Sequence, residues 1–341
     1  MRVTIRDVAS LAGVSVTTAS RALNGEGRMA AETRTRVQDA ATTLKYRPNS
    51  IAKGLVGGRS FTLGLLTNDT YGRFTLPVAA GLANAVVDRG VSVLLASYQD
   101  DPELARINLQ SLEDRQVDGL ILAGKRIDRA PHAGLLKSGI PTVHVMSACD
   151  DDGIGFVPDD DGGARIATQH LLDLGRRRIA HVTGPAAFAA ARIRAESYVR
   201  TLSDMGAAHW GDPIFGAWSE QHGFDLALQL FDGKPGADAP DAIFCGNDQI
   251  ARGMIDGLTH LGVGVPDDVA IVGFDNWEIF AAATRPPLTT IDMGLVELGR
   301  QAGLCLLDLI DGREVASGLT HTPSRLVIRQ SCGALSTDIA V

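Results

Sequence analysis

Two sets of side chains in this 341-residue chain have types and spacing that could do chemistry on a partner. The first is Val16, Thr17, Thr18, Ser20 and Arg21, within GVSVTTASRALNG, Gly13 to Gly25. Short side chains let a helix backbone lie close to a duplex. Hydroxyls and a helix N-terminus bind phosphate, Val or Thr methyls can touch a thymine methyl, and an arginine can grip guanine through two acceptors. The second set lies at the ends of apolar runs, in GND (Gly246 to Asp248) and GFDN (Gly273 to Asn276). Amide and carboxylate groups there would project into a cleft as acceptors for ligand hydroxyls. No P-loop, dinucleotide glycine fingerprint, nucleophile elbow or metal-helix motif occurs, and the eight histidines read as structural. An enzyme is therefore not expected, and neither is a cofactor. Asp159, Asp160 and Asp161 offer oxygen ligands, but one acidic run does not supply the geometry of a hard-cation site, so no metal is expected either.

The elements that must position the first set are short helices. Thr4 can cap a helix, with Asp7 three residues on, and Val8, Ala9, Leu11 and Ala12 supply its apolar contacts before Gly13 ends it. Ser15 caps a second helix with Ala19, Ala22 and Leu23 inward, stopped at Asn24-Gly25. A third begins near Ala31 to Thr33 and turns Val37, Ala40, Ala41 and Leu44 inward until KYRPN breaks it. This predicts a three-helix, helix-turn-helix head. Residues 1–60 hold ten Lys or Arg against four Asp or Glu, a net +6 that leaves −14 on the rest of a chain at −8. A basic head on an acidic body suits a nucleic-acid contact confined to one end. In RPNSIAKGLVGGRS, Arg47 to Ser60, Pro48 ends the third helix, Asn49 can cap a short one and Gly57-Gly58 closes it. So short a segment cannot offset helix nucleation alone, so its folding needs a partner.

Beyond Ser60 the pattern changes to apolar runs alternating with helices: FTLGLLT, VSVLLAS, DGLILAG and PTVHVM, then RIAHVTG, DPIFGAW, DAIFCGN and VAIVGFD. Two such series predict two lobes of parallel sheet joined by crossover helices, with the cleft between them as the default ligand site. No apolar run reaches the roughly 18 residues of a membrane span, and the N-terminus lacks the pattern of a secretory signal. The expected location is the cytoplasm. Cys149, Cys245, Cys305 and Cys332 are widely spaced and read as buried reduced thiols.

TIRDVASLAGVSVTTASRALNG and TRTRVQDAATTLKYRPNSIAKGL closely resemble the head and hinge of the lac repressor and galactose repressor family of bacterial transcription regulators, and the resemblance covers nearly the whole length. It implies an α/β fold: a three-helix DNA-binding head and hinge helix, then a two-lobed periplasmic-binding-protein-like body of parallel sheets flanked by helices. The implied domains are a head at 1–47, a hinge at 48–60 and an effector-binding and dimerisation domain at 61–341. Its N-lobe would be 61–158 and 289–322 and its C-lobe 159–288 and 323–341, with crossings near Pro158, Leu288 and Pro323. Val16, Thr17 and Arg21 take base-reading positions by this resemblance, and Thr4, Thr18, Ser20 and Asn24 phosphate or positioning ones, with Asn49 also at the DNA. Leu55 is the residue that would wedge into the minor groove.

The resemblance carries effector contacts onto Arg194, Trp218, Asn247 and Asp275, with Asn68, Tyr71, Arg73 and Phe74 as weaker candidates. Trp218 could stack on a sugar ring. Asp159 to Asp161 become a strand-to-helix turn. Met146 and Met293 stand where relatives often place polar groups, so the ligand could be less polar, modified or phosphorylated. The expected partners are an inverted-repeat operator in double-stranded DNA, a small-molecule effector, most simply a carbohydrate, and a second copy of the chain, since SCGALSTDIAV is too short for a tetramerising heptad tail. The expected function is an allosterically controlled repressor released from DNA by ligand. The alternatives are a transport-type sugar-binding protein or a purine-type, corepressor-dependent regulator.

Overall fold

The computed structural model describes residues 3–25, 27–46, 59–131, 139–232, 236 and 238–334. Most of the expected hinge, Asn49 and Leu55 included, lies outside the described residues, as does the chain after Ala334.

The head consists of α1 (Ile5–Ala12), α2 (Val16–Asn24) and α3 (Ala31–Thr43). At the start of α1 the Asp7 carboxylate accepts hydrogen bonds from the Thr4 N–H and the Thr4 hydroxyl, each at 2.8 Å. Those two bonds hold the Asp7 carboxyl below the usual carboxylate range. Ser15 Oγ accepts the Thr18 N–H at 3.1 Å to open α2. Gly13 and Gly25 end the first two helices in the left-handed conformation. The helices pack through Val8, Ala9, Ala12, Ala19, Ala22, Val37, Ala40 and Ala41. Mostly alanine, this core draws the axes together while burying little area per residue. Leu11, expected inward, is instead 55% exposed. At 3.6 residues per turn it lies roughly 110° from the centre of the face set by Ile5, Val8, Ala9 and Ala12.

The body holds two six-stranded sheets. The first contains β1 (Thr62–Thr67), β2 (Ser92–Ser97), β3 (Gly119–Arg126), β4 (Thr142–Ser147), β5 (Ile154–Pro158) and β11 (Gly318–Thr322), in the order β11-β5-β4-β3-β1-β2. All its pairings are parallel. The second contains β6 (Ile179–Thr183), β7 (Ile214–Phe215), β8 (Ala242–Cys245), β9 (Ala270–Asp275), β10 (Thr289–Asp292) and β12 (Arg325–Val327), in the order β12-β10-β9-β8-β6-β7. Only β12 runs antiparallel, against β10. The connecting helices are α4 (Thr75–Val86), α5 (Pro102–Asp114), α6 (Asp160–Asp173), α7 (Ala189–Asp204), α8 (Glu220–Leu230), α9 (Asp248–His260), α10 (Glu278–Ala283) and α11 (Leu295–Ile310). All eight apolar runs expected to be strands are strands; the central ones, covered on both faces, read as continuous apolar stretches, while β2 and β7 lie at sheet edges and are more exposed.

Three passages link the lobes. The chain leaves the first sheet after Pro158 and returns to the second between Thr322 and Arg325. The middle passage differs from the expected one near Leu288: β10 pairs with β9, so 289–292 belongs to the second lobe and the chain crosses after Asp292. Leu288 is fully buried in the second lobe's core. The largest apolar cluster runs from Leu63, Leu65 and Val143 to Phe244, Val272 and Phe274, and it includes Met146 and Met293 near the passages. Of the four cysteines, all free, Cys245 and Cys332 are buried as expected, whereas Cys149 and Cys305 are only half-buried.

Candidate functional site

On the head, α2 shows its partner-facing side because Ala19 and Ala22 take the opposite one. Val16, Thr17 and Arg21 are exposed, Thr18, Ser20 and Asn24 half-buried, and Thr4 exposed at the start of α1. The Thr18 hydroxyl pairs with Ser15 Oγ at 2.8 Å, which fixes the first turn of α2. The free N–H groups of that turn are what a phosphate oxygen seeks.

A cavity of about 280 Å3 lies between the lobes. It is lined by Arg73, Phe74, Lys125, Arg126, Ile127, Asp128, Met146 and Pro158 from the first lobe, and by Asp160, Phe188, Ala189, Ala190, Arg194, Trp218, Asn247, Asp275 and Met293 beyond the first passage. Six of the eight proposed effector residues therefore meet around one space. Asn68 and Tyr71 do not line it: Asn68 faces a neighbouring chamber, and Tyr71, 90% exposed, lies on an outer groove.

Arg194 is buried on α7 and its donors are held by the protein. Nε and Nη2 donate to Asp160 Oδ1 at 2.8 and 2.6 Å, and Nη1 donates to the Gly246 carbonyl. Its guanidinium lies 3.6 Å from the Phe274 ring centroid. Burial pushes the Asp160 carboxyl up, and Arg194 opposes that shift. Asp159 caps α6 by accepting the Gly162 N–H at 2.8 Å, so the acidic run divides into a cap and a buried counter-ion. Among the described residues no His, Cys, Asp or Glu cluster is arranged to hold a metal ion.

Asn247 caps α9, its Oδ1 accepting the Ile250 N–H at 2.8 Å. Asp275, at the end of β9, has φ 112°, and Met146, at the end of β4, has φ 53°. L residues rarely hold such backbone, and it persists where the surroundings fix a side chain in place. Trp218 lies edge-on to Phe188, with centroids 6.1 Å apart. It can sit flat on the chain because residue 184 is glycine; a Cβ there would enter the indole.

Side chains also bridge the lobes across the cavity. Arg73 pairs with Asp275 and donates to Gln249 Oε1 at 2.9 Å, and burial lowers its guanidinium to about 10. Arg126 Nη2 donates to the Ala187 carbonyl at 2.6 Å, and its guanidinium lies 4.0 Å from the Phe188 centroid. Asp128 accepts the Ala189 N–H at 3.1 Å, at the start of α7. Arg126, Asp128, Phe188 and Asp160 were missed by sequence reasoning. The signal for two of them was present: KRID follows the apolar run DGLILAG directly, and strand ends are where such sheets hold ligands.

Residues 4–49 match the family of bacterial regulatory proteins, lacI family, and residues 168–332 match the periplasmic binding protein-like domain. The ribose operon repressor of Escherichia coli (strain K12) is 32% identical over 303 residues, which cover 88% of this chain and 90% of that protein. The HTH-type transcriptional repressor PurR of Haemophilus influenzae (strain PittEE) is 31% identical over 340 residues, 96% of this chain and 98% of that protein. The crystal structure of the lac repressor dimer bound to operator and the anti-inducer ONPF superposes with a TM-score of 0.74 at 27% identity, covering 97% of this chain and 99% of that one. The transcriptional regulator CelR–cellobiose complex gives 0.67 at 28% identity, covering 97% and 100%.

A helix-turn-helix head on a two-lobed body with a cavity between the lobes defines a ligand-binding transcription regulator. The chain belongs to the lacI family of bacterial regulatory proteins. It is a DNA-binding repressor rather than an enzyme.

Proposed function

We propose that two copies of this chain hold an inverted-repeat operator and release it when a small molecule, a sugar or sugar derivative, occupies the interlobe cavity. Val16, Thr17 and Arg21 read bases in this proposal, while Thr4, Thr18, Ser20, Asn24 and Asn49 position the backbone. Leu55, outside the described residues, is the minor-groove wedge. Arg194, Trp218, Asn247, Asp275, Arg73 and Phe74 surround the effector, with the aromatic rings taking the apolar face of a sugar. Tyr71 and Asn68 drop out as direct contacts in the cavity.

One observation carries the reading: a continuous run of described structure joins the cavity to Arg59 and Ser60, on the body side of the expected hinge. Met293 lines the cavity, α11 begins two residues later, and Asp311 just past its end pairs with Arg59 at 2.8 Å. Arg59 also approaches Asp118 at 3.9 Å, and the Asp118 carboxylate accepts the Ser60 and Phe61 N–H groups at 2.6 and 2.8 Å. A shift of one lobe against the other thus reaches the residue where the chain arrives from the hinge. The three rings Phe74, Phe188 and Trp218 favour one second reading, a flat purine-type ligand that strengthens DNA binding.

The test selects an inverted-repeat site from random duplex with the full chain and titrates operator binding against ligands found by thermal shift among sugars and nucleobases. A sugar-type ligand weakens operator binding, and a nucleobase that tightens it establishes the second reading. Equal affinity for the selected palindrome and scrambled duplex, under all ligands, overturns both. Leu55→Ala abolishes the preference for the palindrome and leaves the ligand's thermal shift intact.

A further inference from the structure

We propose that the effector carries a phosphate ester, and that this group enters a second chamber beside the cavity. The chamber, about 240 Å3, lies at the ends of β1, β3 and β4 and shares Lys125 and Arg126 with the cavity. This rests on the reading of the cavity as the effector site.

Three cations, Lys125, Arg126 and Arg129, line the chamber against one carboxylate, Asp100. Lys125 pairs with Asp100 at 2.6 Å and Arg126 with Asp128 at 3.1 Å. The Arg129 guanidinium makes no ion pair among the described residues, so the chamber has net positive charge and one planar fork suited to two anion oxygens. The second observation is independent of charge. Ser147, at the end of β4, is 1% exposed, lines the chamber, and has an Oγ without a hydrogen-bond partner among the described residues. A buried hydroxyl left so is unfavourable until something in the chamber accepts its proton.

Asn68 adds specificity. Its Nδ2 donates to Asp100 Oδ1 at 2.7 Å. An ionised carboxylate only accepts, so this bond fixes the amide orientation and leaves Asn68 Oδ1 as a buried acceptor without a donor among the described residues. A hydroxylated ring bearing a phosphate supplies both kinds of partner: oxygens for Arg129 and Ser147, and a hydroxyl proton for Asn68. A simple carboxylate supplies no proton, and a bare hydrocarbon supplies neither.

Titration calorimetry of inorganic phosphate into the full chain, at constant ionic strength, tests the chamber without knowledge of the effector. The expected result is saturable binding that weakens about tenfold or more in Arg129→Ala and about three- to tenfold in Ser147→Ala. Arg106→Ala, a surface arginine on α5, leaves it unchanged. Arg129 is exposed and Ser147 loses only an unpaired hydroxyl, so both variants fold. No saturable binding, or equal binding in Arg129→Ala, overturns the proposal. Acetate binding as tightly as phosphate overturns the choice of phosphate. Matched pairs of a neutral sugar and its phosphate ester, ribose with ribose 5-phosphate and glucose with glucose 6-phosphate, are then compared in operator release. Release by a neutral sugar with no phosphate binding sinks the chamber and keeps the switch. Arg129-dependent phosphate binding by a protein whose operator affinity no ligand alters keeps the chamber and sinks the switch.

Discussion

The head and the interlobe cavity handle polar groups in opposite ways. Every buried residue of the described head is valine or alanine, and its polar side chains face outward. The cavity and its walls bury Asp160, Arg194, Asn247, Asp248 and Asp275. Arg194 and Asn247 are already engaged with Asp160, the Gly246 carbonyl and the start of α9. The head is thus a small platform that presents Val16, Thr17 and Arg21 outward, with Thr4 and Thr18 held by bonds to Asp7 and Ser15. The cavity is a network of internal bonds between the lobes, and under the proposed function a ligand acts by rearranging bonds that already exist.

The sharpest break of that contrast is Arg194→Ala. It leaves the buried Asp160 carboxylate without its cation, and loss of ~3–5 kcal/mol of body stability is expected, measured by urea unfolding. Adding Asp160→Asn recovers part of it; a loss below ~1 kcal/mol in the single variant would mean the pair is not the strut described.

A smaller effect separates the regions by pH. Asp248 at the start of α9 is fully buried, and burial lifts its carboxyl from 3.8 to about 6, against the pull of hydrogen bonds from Thr290 and the Trp277 N–H. Between those pH values the folded chain holds a proton that the unfolded chain has released. The contribution of Asp248 to body stability therefore falls as pH rises from about 4 to about 6, by ~2–3 kcal/mol, and is level above that. In Asp248→Asn the slope lessens, and what remains of the same sign belongs to Asp160, whose carboxyl burial also pushes up. The head, with no buried carboxylate among its described residues, lacks that slope; a slope of equal size in the variant would assign the effect elsewhere.

Arg21→Ala acts on binding alone. A loss of ~1–3 kcal/mol on the selected operator, confined to one base position, is expected with no change in thermal midpoint. An equal loss on random duplex would make Arg21 a phosphate contact. The smallest effect is Ser15→Ala, which removes the cap of α2 and costs the head ~1 kcal/mol while leaving body unfolding unchanged.

Legibility in the sequence followed the same division. The head is held by contacts three or four residues apart: Thr4 with Asp7, Ser15 with Thr18, a glycine after each of the first two helices. Leu11 was misplaced because five apolar residues in an eight-residue helix outline a face only loosely. Strands with long apolar runs were legible. β5, β10, β11 and β12 were not, because IGFVP, TTID, GLTHT and RLV are short or polar, and Thr289 and Thr290 are buried by their neighbours rather than by their own character. The displaced middle crossing has that cause. The bridges from Arg126 to Ala187 and from Asp128 to Ala189 each span 61 residues, and no local pattern announces a partner at that distance.

The order of residues by itself determined the head, the alternation of strand and helix, the confinement of basic charge to one end, and the strand-end groups that could meet a ligand. Each follows from neighbours within a turn or two of chain, where propensity, capping and periodicity act. Only the folded body decided which of those groups share a cavity, which are consumed as struts, and which, like the Ser147 hydroxyl, have no hydrogen-bond partner among the described residues. Those outcomes depend on packing two sheets whose strands interleave along the chain, and on the desolvation that packing imposes.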